Sequence, residues 1–231
     1  MITDLIIFIE TPDSPAAQLA HTLAARLSTE PVTDPETAAR AALTVRAGMD
    51  GLSLTGNGLT VRGDFSAMTG RLRPNELNRE LLVRAARCRG IAAPAALDAT
   101  AGMGEDSILL AAAGFQVTMF EQDPVIAALL EDALRRGLED PAISEIISRM
   151  HLVHGDSIAA MRSIGEAISA APGGAVPAVN FGGAVPAVNS SGMDPAVNSN
   201  ETREAVPVPD VIYLDPMFPE RSKSSLVERA K

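Results

Sequence analysis

Cysteine is nearly absent from this chain: Cys88 stands alone among 231 residues, so no intrachain disulfide can form. A lone thiol suits a reducing compartment and gives the expectation of a cytoplasmic protein. Cys88 itself reads as an unreactive small side chain on a helix. Long apolar runs are missing too. None approaches the roughly 20 residues that a bilayer span requires, and no membrane partner is expected. The N-terminus lacks the basic charge of a signal peptide, since Asp4 and Glu10 flank the short apolar run Leu5 to Ile9. That run reads as a first strand. His151 and His154 have no matching Cys or His cluster, so no metal site is expected. Basic residues are outnumbered 19 to 29, a net charge of −10. Such an excess of acid speaks against a nucleic-acid partner, because phosphate neutralisation supplies most of that binding.

What is present alters that last point. Between Thr60 and Gly90 lie seven arginines, Arg62, Arg71, Arg73, Arg79, Arg84, Arg87 and Arg89, opposed by three acids, Asp64, Glu76 and Glu80. This stretch is therefore +4 inside an acidic chain. Arginine suits planar, bidentate contact with phosphate. Two readings fit the stretch: an RNA-facing patch, or a solvated helix face laced with Glu–Arg pairs. Apolar residues make up 46% of the chain, enough for a sizeable core.

Residues 1–65 read as a small α+β domain. Leu5 to Ile9 is a strand, and Ser14 caps a helix from Pro15 to Leu27. Strand-like segments follow at Ala42 to Arg46, Gly51 to Leu54 and Leu59 to Phe65, with Gly and Asn turns between them that suggest a meander. Residues 66–231 read as a second domain. A helix spans Asn75 to Arg89, stopped by Gly90. Strands at Ala95 to Ala99, Gln116 to Phe120, His151 to His154 and Val211 to Leu214 alternate with helices at Asp106 to Ala113, Pro124 to Gly137 and Pro141 to Arg149. This alternation implies a parallel sheet with helices on both faces. One segment breaks the rhythm. Gly174-Ala175-Val176-Pro177-Ala178-Val179-Asn180 recurs nine residues later from Gly183, and Pro195 to Asn198 echoes it. Rich in Gly, Pro, Asn and Ser, the stretch 172–209 reads as a disordered surface insertion.

Four strand ends carry the chemistry. Asp98-Ala99-Thr100-Ala101-Gly102-Met103-Gly104 leaves the first strand of the parallel sheet on small residues, which lets a ligand approach the backbone. The third glycine of a dinucleotide fingerprint is missing, because Gly104 is followed by Glu105, Asp106 and Ser107. Acids at a helix start repel a pyrophosphate and tolerate a cationic sulfonium, which moves the balance from NAD toward S-adenosylmethionine. Glu121 lies at the tip of the second strand, where a carboxylate can accept hydrogen bonds from ribose hydroxyls, while Asp123 can cap the helix starting at Pro124. Asp156 or Ser157, after the third strand, is placed to bind adenine; Asp156 can equally cap the helix beyond it. The fourth strand ends in Tyr213-Leu214-Asp215-Pro216-Met217-Phe218-Pro219. A base amine has its lone pair delocalised into the ring, and acceptors on its protons help aim that lone pair at a methyl group. Asp215 and the Pro216 carbonyl can be those acceptors, and Phe218 can stack on the base, an interaction worth about 1–3 kcal/mol.

Taken together, these blocks resemble the RsmJ family of bacterial 16S rRNA guanine-N2 methyltransferases. The resemblance rests on Asp98 to Gly104, Pro124 to Leu130 and Tyr213 to Pro219, with Lys223-Ser224-Ser225-Leu226-Val227 also similar. It implies an α/β class I methyltransferase (Rossmann-like) parallel sheet with S-adenosylmethionine as cofactor. The cofactor positions fall on Glu105, Asp106, Glu121, Gln122, Asp156, Ser157 and Asp215, beside Asp98, Gly102 and Gly104 of the loop. The catalytic positions fall on Asp215, Pro216 and Phe218. Glu105 and Gln122 stand where the family's pattern is usually basic. The chain closes soon after the fourth strand, so a C-terminally shortened sheet is expected. The expected activity is methyl transfer to guanine N2, with 16S rRNA or the small ribosomal subunit as partner. A DNA base or protein glutamine as acceptor, and a nucleoside- or RNA-binding fragment with impaired catalysis, stay open as alternatives.

Overall fold

The computed structural model describes residues 5–170, 179–180, 205–206 and 208–215. Its first sheet has the order β1-β2-β3-β4, built from β1 (Leu5–Ile9), β2 (Leu43–Gly48), β3 (Gly51–Gly56) and β4 (Leu59–Val61). β1 runs parallel to β2, and β2, β3 and β4 form an antiparallel meander. Helix α1 (Pro15–Leu27) begins at Ser14, whose side chain accepts the Ala17 N–H, and Pro15 occupies the first turn, where a missing donor costs nothing. A short α2 (Pro35–Arg40), capped by Asp34, precedes β2 and was not foreseen.

The second sheet is wholly parallel and ordered β10-β5-β6-β7. Its strands are β5 (Ala95–Asp98), β6 (Gln116–Glu121), β7 (Met150–His154) and β10 (Val211–Tyr213). Four consecutive buried residues, Val117 to Phe120, show that β6 is covered on both faces, as parallel strands normally are. Ala96, Val117, Met119 and Leu152 pack toward the side of α5 (Glu105–Ala112), α6 (Pro124–Glu139) and α7 (Ser144–Ile147). Leu97, Phe120 and Val153 pack with Ala160 and Ile164 of α8 (Ser157–Ala170). The third sheet is a two-residue antiparallel ribbon of β8 (Val179–Asn180) and β9 (Ala205–Val206). Apart from that ribbon and residues 208–209, the insertion 172–209 lies outside the described residues.

Two expectations need correction. The helix foreseen over Asn75 to Arg89 is two pieces, α3 (Pro74–Leu77) and α4 (Leu81–Ala86). Glu80 turns to extended backbone between them, and the Arg71 side chain holds its carboxylate with bonds of 2.8 and 3.0 Å. Cys88 therefore follows a helix rather than lying on one; its thiol donates to the Ala86 carbonyl at 3.4 Å. The helix expected from Pro141 to Arg149 is only the single turn of α7.

The two larger sheets meet across α6. Its residues Val125, Ala128 and Leu129 join a core with Ile7, Leu23, Val45 and Leu52, while Leu130, Ala133 and Leu134 face the other way. At the seam Asp132 is fully buried and accepts the Leu52 N–H at 2.9 Å. Arg135 and Arg136 pair with the same carboxylate at 3.1 and 2.9 Å, and Arg136 also donates to the Gly63 carbonyl. A buried charge holds its place only when its oxygens are so occupied.

Candidate active site

The order β10-β5-β6-β7 reverses direction at β5, whose successor in the chain lies on one side and whose latest neighbour, β10, lies on the other. In open parallel sheets a crevice forms at such a switch point, beyond the carboxyl ends of the strands. Asp98, Glu121, His154 and Tyr213 are the last residues of these four strands.

The loop from β5 to α5 is shaped by Asp98, which is 1% exposed. One of its oxygens accepts the Thr100 N–H at 3.0 Å and the other accepts the Ser107 hydroxyl at 2.6 Å. Burial pushes the Asp98 carboxyl above its ordinary value, and the nearby Asp106 and Glu121 charges add to the rise. The two glycines have different reasons to be there. Both adopt positive φ, +54° at Gly102 and +77° at Gly104. A Cβ at Gly104 would lie 2.9 Å from Leu130 Cδ1 and 3.1 Å from Phe65 Cζ, so this glycine serves packing. A Cβ at Gly102 would meet nothing closer than 4.0 Å, so there the backbone is left open to an approaching molecule.

Glu121 ties the second strand to this loop. Its Oε2 accepts the Gly102 N–H at 3.0 Å and its Oε1 the Asp123 N–H at 2.8 Å. Each oxygen keeps a second lone pair for a ligand. Asp123 caps α6 through the Val125 and Ile126 N–H groups, as the sequence suggested. Gln122 is exposed, and its carbonyl meets His154 Nε2 at 3.2 Å. The Gly155 N–H donates to the Glu121 carbonyl, which brings the end of β7 alongside. Asp156 accepts the Ile158 N–H at 2.8 Å and starts α8, and Ser157 is half-buried beside it.

Asp215 is exposed, and its N–H donates to Thr100 Oγ1 at 2.8 Å. The Ala99 N–H donates to the Tyr213 carbonyl, and the Tyr213 hydroxyl donates to Asp106 Oδ2 at 2.6 Å. Burial first, then the bond to Asp106 and the charges of Asp106, Asp215 and Asp98, hold the Tyr213 hydroxyl well above its ordinary pKa, so it stays a donor. Glu105 is exposed at the first position of α5. Pro216 and Phe218 lie outside the described residues. Thr100, Ser107 and Tyr213 are site residues to which sequence reasoning assigned no role, although Thr100 and Tyr213 lie inside the motifs and Ser107 directly follows Asp106. Together, Asp106, Glu121 and Asp215 make this edge strongly acidic, an environment that favours a cationic ligand. Among the described residues no group of His, Cys, Asp or Glu is arranged to hold a metal, and no helix is long and apolar enough to cross a membrane.

A family model described as "Putative SAM-dependent methyltransferase" matches residues 35–171 and 193–230, and its gap falls within the repeat insertion. A Nitrosococcus oceani protein named ribosomal RNA small subunit methyltransferase J is 34% identical over 214 residues, covering 91% of this chain and 69% of its own. The chain belongs to the SAM-dependent methyltransferase family that includes RsmJ. A Thioalkalivibrio sulfidiphilus relative of the same name is 35% identical over 173 residues, 73% of this chain and 52% of its own. The crystal structure of a SAM-dependent methyltransferase from Neisseria gonorrhoeae matches with a TM-score of 0.53 and 30% identity, covering 69% of this chain and 64% of that one. The Rossmann-like class I fold and S-adenosylmethionine as the family's cofactor follow from these matches. The chain spans about half the length of the first curated relatives it matches.

Proposed function

We propose that this RsmJ-family chain transfers a methyl group from S-adenosylmethionine to the exocyclic N2 amine of a guanine in 16S rRNA. The observation that carries the proposal is the 2.8 Å bond from the Asp215 N–H to Thr100 Oγ1. It joins the carboxylate that would orient the amine to the loop whose backbone is open at Gly102, both at the sheet's switch point. When bound, the cofactor supplies a methyl group on a positively charged sulfur, an already activated electrophile. The residues fit such a group: Asp106, Glu121 and Asp215 provide negative field for the sulfonium and ammonium. Glu121 would accept ribose hydroxyls with its remaining lone pairs, with exposed Gln122 beside it. Asp156 and Ser157 would face the adenine, and Glu105 with Asp106 the amino-acid end. Asp98, Gly102 and Gly104 would act by shaping the loop. Asp215 would hold the amine's protons, with the Pro216 carbonyl as second acceptor and Phe218 stacked on the guanine. Proximity and alignment would then provide most of the acceleration.

The proposed partner is the 16S rRNA or the small ribosomal subunit, which would place the reaction in the cytoplasm. The test uses labelled S-adenosylmethionine with small subunits lacking the modification, and with DNA and protein acceptors alongside. Transfer to guanine N2 that falls at least a hundredfold in Asp215→Ala is the expected result. Transfer unchanged by that substitution, or confined to DNA or protein, would contradict it.

A further inference from the structure

We propose that Arg73, Arg84, Arg87 and Arg89 form a docking face for an RNA phosphate backbone, starting beside the cofactor loop and running along the flank of α5. The proposal rests on the reading of an RNA substrate and names the surface that would hold it.

Clustering and the lack of an ion pair together set these four side chains apart from the other described arginines; Arg26 and Arg162 are also exposed without a carboxylate partner, but each stands singly, on α1 and α8. Arg40, Arg46, Arg62, Arg71, Arg79, Arg135, Arg136 and Arg149 each pair with a carboxylate. Among the described residues Arg73, Arg84, Arg87 and Arg89 pair with none, and all four are exposed. Arg87 donates only to the neutral Asn78 side chain, at 3.2 Å. The three acids within this stretch are engaged elsewhere, Asp64 by Arg62, Glu76 by Arg79 and Glu80 by Arg71. In a chain of net charge −10, four unneutralised guanidinium groups within seventeen residues make a local cationic run, and among the described residues no other stretch gathers unpaired arginines in this way.

The segmentation of the helix arranges them. In α4, Val83 and Ala86 turn inward to the core shared with Ile108 and Leu109 of α5. Leu81 and Arg84, three residues apart, then share the opposite, outer side, with Arg87 one further turn along. Leu81 is 75% exposed, so the outer side combines an apolar knob with cationic groups. At the other end, Arg71 feels the charges of Asp106 and Glu105, and Phe65 packs at Gly104. The segment therefore begins at the rim of the candidate active site. A polyanion lying along it would arrive at the acidic crevice, which by itself repels phosphate. Planar guanidinium groups with free N–H edges match phosphate oxygens bidentately.

The test compares two triple variants of the full chain that remove equal charge: Arg73→Gln with Arg84→Gln and Arg89→Gln, and Arg26→Gln with Arg40→Gln and Arg162→Gln. Binding to protein-free 16S rRNA is measured across a salt series. Each phosphate contact contributes about 0.7–0.9 to the slope of log K against log salt, so the first variant should lose about 2 in slope and at least tenfold in affinity. The second should lose less than threefold. Calorimetry with S-adenosylhomocysteine should be the same in all three proteins. Equal losses in both variants would mean that net charge alone governs binding, and would overturn the proposal. So would loss of binding to phosphatidylserine vesicles with rRNA binding intact. If rRNA affinity is unchanged while methyl transfer is observed, this surface is wrong and the proposed reaction stands. Arginine-dependent binding without transfer has the opposite meaning.

Discussion

Asp98 illustrates how a motif residue can shape its own loop. The sequence marks it as the strand-end acid of a cofactor site, and its two oxygens accept from the Thr100 N–H and the Ser107 hydroxyl. Its folded pKa is raised by burial, so it takes up a proton more readily in the fold than in the unfolded chain. Stability gained from protonation is therefore complete below the ordinary carboxylate pKa and is lost as pH rises through the raised folded value. Asp98→Asn, which can keep both bonds by accepting from Thr100 and donating to Ser107, lacks this loss. Urea midpoints measured from pH 3 to 8 should show wild type falling relative to the variant as pH rises through the acid range, with a constant difference above it. A difference independent of pH would argue that Asp98 titrates normally. The sequence exposed the acids Glu121, Asp156 and Asp215 because strand ends and turn chemistry reveal them. It could not reveal that Glu121 accepts the Gly102 N–H, or that Tyr213 donates to Asp106 across 107 positions. Such bonds depend on strand order, which local pattern does not encode.

Elements were legible where a strong local signal agreed with burial. α1 and α6 begin where Ser14-Pro15 and Asp123-Pro124 predict, and β5, β6, β7 and β10 fall within a residue or two of their expected bounds. The failure over Asn75 to Arg89 has a definable cause. Its helical composition continues through Glu80, but a tertiary ion pair with Arg71 accompanies a turn there that spacing alone cannot foresee. The two glycines of the loop give a test at this scale. Gly104→Ala adds a crowded Cβ to a left-handed backbone and should cost about 2–4 kcal/mol in thermal unfolding. Gly102→Ala, with open space but the same backbone sign, should cost about 1–2 kcal/mol. It should nevertheless weaken S-adenosylhomocysteine binding tenfold or more in calorimetry. Equal effects of both substitutions on stability and binding would refute the division of labour between them.

For the whole molecule, the decisive feature is that α6 belongs to both larger cores. The sequence places a border near residue 65 because composition and turn spacing change there. Contacts across that border are invisible to it, since Leu52 and Asp132 are 80 positions apart. Asp132→Ala leaves Arg135 and Arg136 without their shared buried carboxylate and the Leu52 N–H without an acceptor. A loss of about 3–5 kcal/mol is expected, read as one cooperative transition by circular dichroism. Two separate transitions, or a loss below 1 kcal/mol, would show that the seam is not a stabilising contact. The seam also limits what recombination can exchange. A foreign N-terminal sheet joined at residue 65 would have to present an N–H opposite Asp132, a carbonyl opposite Arg136 and an apolar face matching Leu129. Few unrelated sheets would meet all three at once, so the α6 face and the first sheet should be inherited together.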